Sequence, residues 1–211
     1  YENKTNLTFD KRSLPEVFLG ELKKDPQISY SLGSSKINIK DDNLYPLSGV
    51  SGVYTLGCYL NGFWSKFLSD RYGFNNPDFV WENSNLKISN VMLYGNTKVH
   101  SNCINRPNDL SSLLRANISE DFNIINLAAK ASNGPIANYA VLKEYSEALK
   151  PRKILWFFDE DIEFHSLLSE LKNPFLKKYF EDNNYSQGLI SKQREINIIM
   201  EKKIQSKLII E

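Results

Sequence analysis

Residues 88–104, reading ISNVMLYGNTKVHSNCI, restrict the possible folds of this chain more than any other stretch. An apolar run that breaks abruptly at Gly95 and gives way to small polar residues reads as a parallel strand covered on both faces, because such a strand needs no alternation. Its carboxyl end empties into a loop that opens a helix. The same form recurs twice downstream, in a βαβαβ rhythm. The spacing predicts strands over Ile88–Tyr94, Asn123–Leu127 and Lys153–Phe158. Helices are predicted over Asn108–Asn117, with Asn108 as cap, and over Pro135–Leu149. Right-handed crossovers would lay these strands side by side and present Gly95–Cys103, Ala128–Gly134 and Asp159–His165 on one rim. In open α/β sheets that rim is where ligands bind.

The first third of the chain has a different character. Ser13-x-x-Glu16 followed by Val17, Phe18, Leu19 and Leu22 reads as a capped amphipathic helix ended by Pro26. Val53–Tyr59 and Phe63–Leu68, joined through Asn61-Gly62, read as a hairpin. Residues 69–78, SDRYGFNNPD, have turn composition and read as a structured connector rather than a substrate-contacting arm. The expected organisation is therefore an N-terminal helix and hairpin segment over 1–79 and an α/β domain over 86–211. A last helical pattern, Leu189 to Ile210, buries one face through Ile196, Ile199, Met200, Lys203 and Ile204.

With 211 residues, 41% of them hydrophobic, the chain can bury one sizeable core. A net charge of +1 lacks the footprint of a nucleic-acid binder. No run reaches the ~18 apolar residues of a membrane span, and no signal peptide is visible. The sequence starts at Tyr1 without Met and stops inside a helical pattern at Glu211, so a piece of a longer protein is expected. The two cysteines, Cys58 and Cys103, suggest neither a disulfide framework nor a metal knuckle, and Cys103 reads as a small buried residue. The sequons at Asn3, Asn6, Asn117 and Asn184 are expected by chance in so Asn-rich a chain.

Several separate segments carry a resemblance. Gly95-Asn96-Thr97 stands where the SGNH (GDSL) hydrolase superfamily has Gly, Asp and a nucleophilic Ser. Cys103-Ile104-Asn105-Arg106-Pro107-Asn108-Asp109-Leu110 is similar to the C-V-N-R-P-N-D-I of a set of bacterial SGNH-like proteins, and SDRYGFNNPD is similar to a segment preceding their catalytic domain. Asn133-Gly134-Pro135 and Tyr139–Tyr145 match their N-G-P and Y-A-T-L-R-E-Y. The resemblance spans roughly Tyr45 to Ile196. It implies a three-layer α/β/α domain with a flavodoxin-like parallel sheet behind a small β-rich segment. The activity it implies is ester hydrolysis or acyl transfer on an O-acylated, carbohydrate-type substrate, without a cofactor.

That chemistry needs a nucleophilic hydroxyl, a base and donors aimed at an oxyanion. Thr97 occupies the nucleophile position, but its methyl group crowds the turn where the family has Ser. Asn96 replaces the Asp. The oxyanion-donating backbone of the second motif falls at Ala131 or Ser132, beside Asn133. In the third motif, W-x-x-x-E-G-N-D, Ile162 stands where the side-chain amide donor belongs. The family's D-x-x-H has no counterpart, and the histidines are His100 and His165 alone. The resemblance thus implies a catalytically impaired domain, a pseudoenzyme that keeps a carbohydrate- or acyl-binding cleft or only a structural role. Two other readings stay open: an esterase using Thr97 with a base supplied from beyond residue 211, and a metal-dependent hydrolase using Asp159, Glu160, Asp161, Glu163 and His165. Against the last, acids at a helix start more commonly serve the helix dipole.

Overall fold

The computed structural model describes residues 10–33, 43–82, 88–128 and 134–210, the side chains of 162, 209 and 210 excepted. Helix α1 spans Leu14–Leu22, and its capping box forms as the sequence predicts: the Ser13 hydroxyl accepts from the Glu16 amide while the Glu16 carboxylate accepts from the Ser13 amide. Strand β1 (Ser29–Tyr30) runs parallel to β2 (Tyr54–Leu60), which pairs antiparallel with β3 (Phe63–Leu68). At the hairpin tip Asn61 and Gly62 both have positive φ, 51° and 89°, as a two-residue turn matched to strand twist requires.

A second sheet contains β4 (Ser89–Gly95), β5 (Phe122–Asn126) and β6 (Lys153–Phe157), all parallel, in the order β5-β4-β6. The intervening helices are α2 (Thr97–His100), α3 (Leu110–Asn117) and α4 (Pro135–Leu149). They are followed by α5 (Glu160–Leu171), α6 (Pro174–Glu181) and α7 (Gln193–Ile210). The chain is thus mixed α/β, with strand ends within a residue or so of those expected. Val91 and Leu93 of β4 pack with Ile124 and Ala128 and with Leu110 and Leu114 of α3. Met92 and Tyr94, pointing the other way, join Ile125, Ile136, Ala140 and Val141 in the larger core. That core also takes in Val17, Phe18, Leu56 and Phe74 from the first third of the chain and Ile196, Met200 and Ile204 from α7, so one apolar interior runs through both segments. Among the described residues, no helix is long and apolar enough to cross a membrane.

Three expectations need correction. The cap of α3 is Asp109, not Asn108: the Asp109 carboxylate accepts from the Ser112 amide at 3.0 Å, whereas the Asn108 amide is spent in a turn on the Asn105 carbonyl. The third strand is not buried on both faces: every residue of β6 is exposed, and among the described residues β6 pairs with β4 alone. Cys58 and Cys103 form a disulfide, with Cα atoms 5.0 Å apart. Their separation of 45 residues hides this, and a bulge reveals it. The β2–β3 register shifts between Leu56 and Tyr59, and there Ser65 Oγ accepts from the Cys58 amide and donates to the Asn102 carbonyl at 2.6 Å.

The connector at 69–78 is neither an arm nor a slack linker. Asp70 is fully buried and accepts from the Tyr72 and Phe74 amides, Asn76 Nδ2 and Trp81 Nε1, all at 2.8–2.9 Å. Asn76 also donates to the Asn126 carbonyl and accepts from the Asn126 amide, so its side chain meets the end of β5 as a neighbouring strand would. Arg115 on α3 donates to Asn76 Oδ1 and to the Ile124 carbonyl, and Asn75 donates to the carbonyl of His100.

Gly57 lies where the hairpin meets the loop after α2, and a Cβ there would fall 2.0 Å from the Asn102 carbonyl oxygen. We expect Gly57→Ala to destabilise the fold by about 1–3 kcal/mol or more in urea unfolding, the cost of forcing packed backbone apart. Gly20→Ala, where a Cβ meets nothing within 4 Å inside α1, should instead stabilise by about 0.5–1 kcal/mol. Equal effects at the two glycines would contradict this docking.

Candidate functional site

At the carboxyl end of β4 the backbone turns through Gly95, whose φ is 153° and whose missing Cβ leaves room for Val99 Cγ2 and the Phe157 carbonyl. Asn96 comes next as the cap of the four-residue α2, its Oδ1 accepting from the Lys98 amide at 2.9 Å. Its Nδ2 donates across to Asp159 Oδ2 at 3.3 Å, and Lys98 Nζ meets the same oxygen at 2.9 Å. Two of the three expected loops, Gly95–Cys103 and Asp159–His165, therefore meet at their starts on one rim, as Gly95 facing Phe157 in the sheet requires; the second is not a loop beyond Asp159, because α5 begins at Glu160. Thr97 sits half-buried in the first turn of α2 between them. The bond to Asp159 holds the Lys98 ammonium more firmly charged than usual.

The expected oxyanion positions Ser132 and Asn133, with Ala131, lie outside the described residues, as does the side chain of Ile162. The distance from Thr97 to Asn133 expected from adjacent strands lies outside them as well. Helix α4, at the far end of that loop, begins at Pro135 without a side-chain cap of its own, and Glu170 of α5 fills the role. Its carboxylate accepts from the Ile136 amide at 2.9 Å and the Ala137 amide at 3.2 Å. Gly134 leaves the space, since a Cβ there would lie 2.6 Å from Glu170 Oε2. Burial pushes Glu170 up to about 7, against the pull of those amides.

Seven residues earlier on the same helix, Glu163 is fully buried and accepts from Trp156 Nε1 at 3.1 Å. Burial raises its affinity for a proton too, and its Oε2 has no hydrogen-bond partner among the described residues. The acids proposed for a cation are thus dispersed. Asp159 is engaged by Lys98 and Asn96, Glu163 points inward, and the His165 ring nitrogen meets the Asp161 carbonyl. Among the described residues, no group of three His, Cys, Asp or Glu side chains is placed to hold a metal ion. His100 is buried away from the rim, edge-on to Phe67 at 5.5 Å and lining a cavity of about 30 Å³ between the two sheets.

Sequence reasoning missed Lys98 and Glu170. The signal for Glu170 was present: a Glu seven residues after Glu163, next to Leu171 and one turn beyond Leu167, falls on the helix face that the apolar pattern buries. No family model, curated protein or solved structure matches this chain.

This geometry has two measurable outcomes. Glu170 binds its proton more tightly folded than unfolded. Its contribution is therefore full below its ordinary value near 4.5 and lost as pH rises through about 7. Thermal melts should accordingly fall between pH 5 and 8, and Glu170→Gln should flatten that decline by on the order of 2 kcal/mol. Asp70, raised to about 6 by burial, and Glu163, raised by burial as well, contribute to the slope that remains. Asn96→Ala removes a cap and the bridge to Asp159 together, and should cost about 1–2 kcal/mol in chemical denaturation. Lys98→Ala, at a side chain 80% exposed, should cost under about 1 kcal/mol.

Proposed function

We propose that this chain is an SGNH-like domain that binds an O-acylated, carbohydrate-type ligand at the rim formed by Gly95–Lys98 and Asp159–Glu163 and is impaired in hydrolysing it. The observation that carries the reading is the Asn96–Asp159–Lys98 cluster, which joins the first and third motif loops beside a hydroxyl-bearing Thr97 at the end of the middle strand. The strand order β5-β4-β6, second-first-third along the chain, is the beginning of the flavodoxin-like order and supports the finer reading of a three-layer α/β/α sheet.

Impairment rests on electrostatics. Ester cleavage develops negative charge beside the nucleophile, and donors must meet it there. At this rim Lys98 is already neutralised by Asp159, while Glu160 and Asp161 add negative potential in the first turn of α5. The amides that open α4 are turned to Glu170.

The test pairs turnover with binding. With p-nitrophenyl acetate, we expect a rate indistinguishable from that of Thr97→Ala, since losing even one oxyanion donor costs about 10²–10³-fold. A fluorophosphonate should leave Thr97 unlabelled. In amide NMR spectra, O-acetylated glucose should shift residues 95–98 and 159–163 while glucose does not. Turnover or labelling that disappears in Thr97→Ala would overturn the impairment, and absent shifts would overturn the binding role.

A further inference from the structure

Of the residues between α2 and α3, 101–109, none joins either apolar core. Ser101 and Asn102 are buried all the same, as is Asn75, whose amide donates to the His100 carbonyl. Asn102 Oδ1 and Asn75 Oδ1 have no hydrogen-bond partner among the described residues, and a buried oxygen without a donor leaves its desolvation cost uncompensated. Apolar burial, which secures the rest of the fold, therefore does not secure this loop. The hairpin does so instead. Ser65 donates to the Asn102 carbonyl, the Lys66 amide donates to Asn105 Oδ1 at 2.8 Å and Arg106 donates to the Leu68 carbonyl, with the Cys58–Cys103 bond among them.

That bond closes a ring which takes in β3, the 69–78 connector, β4 and α2, so it ties the hairpin covalently to the loop that follows the Thr97 turn. Both cysteines are only half-buried, and a small thiol can reach them. We propose that Cys58–Cys103 is a redox clamp on this joint: oxidised, it holds the 101–108 loop against the hairpin; reduced, it lets the loop part from the hairpin while both sheets stay folded. The clamp is set in an oxidising compartment and released in a reducing one. It acts on the joint whatever the rim binds.

The test follows the bond and the loop together. Alkylation and mass spectrometry of the folded, air-exposed chain should find neither cysteine modified, and both modified after dithiothreitol. In that exchange the two thiols of the reductant pass two electrons and two protons to the bond, leaving as a cyclic disulfide while Cys58 and Cys103 become thiols. Hydrogen exchange should then quicken at the Lys66 and Ile104 amides, which bond across and within the loop, by about tenfold or more relative to Met92 and Ile125 in the sheet. Cys58→Ser/Cys103→Ser should match the reduced chain and no longer respond to reductant. Free thiols in the folded, air-exposed chain would overturn the proposal. So would Lys66 and Ile104 amides that reduction speeds no more than those of the sheet, a loss of the whole fold on reduction seen by circular dichroism, or a response to dithiothreitol that persists in the double variant.

Discussion

The structure depends on one buried carboxylate. Asp70 has left water entirely, a loss that would exclude it from an apolar interior if its oxygens were not met by two backbone amides, an asparagine amide and an indole. Those four donors curl the 69–78 segment into a fixed shape and orient Asn76 and Trp81. Asn76 then grips the end of β5, and Arg115 donates to the same Asn76 oxygen that accepts from the Asn126 amide. Partial burial lowers Arg115 to about 10. Removing any one member strands the others without partners, so the hub behaves as a unit rather than as separable bonds.

Given that seam, the remaining contacts between the two sheets become possible. The loop after α2 is held from the hairpin side by the Cys58–Cys103 bond, by Ser65 on the Asn102 carbonyl and by Asn105 on the Lys66 amide. Asn75 fixes the His100 carbonyl from the connector side. The loop carrying Thr97 thus starts at a parallel strand and is anchored at its far end by a different sheet. Around it the acids are put to internal use: Asp159 as partner to Lys98, Glu163 to an indole, Glu170 to the open end of a helix.

Local patterns carried much of this into view. The Ser13–Glu16 box, the Asn61-Gly62 turn, the three strands and the α4 boundaries arise from spacing and turn chemistry, because short-range geometry decides them. The buried face of α7 reflects its three-to-four spacing. Features set by distant partners stayed hidden. Asp109 displaced Asn108 because its two oxygens also serve the Ser111 and Ser112 hydroxyls, and no local rule ranks the two residues. The disulfide needed a bulge to turn Cys58 toward a loop 45 residues away. The exposure of β6 could not be read from Lys153–Phe158, since an apolar run looks alike in the middle of a sheet and at its edge. At the site, the sequence marks Asn96 only as the replacement for an Asp, and its partner Asp159 becomes apparent only when the two strand ends are set side by side.

The helix at 193–210 lies in the same apolar interior as the helix at 14–22, with Ile196, Met200 and Ile204 sharing a core with Val17 and Phe18. A cleft of about 520 Å³ runs along their junction. Such closure has a consequence for synthesis on the ribosome. Contacts between the two helices cannot form until residues 193–210 have been made, although Tyr30 already covers part of the first helix, packing edge-on against Phe18 at 5.1 Å.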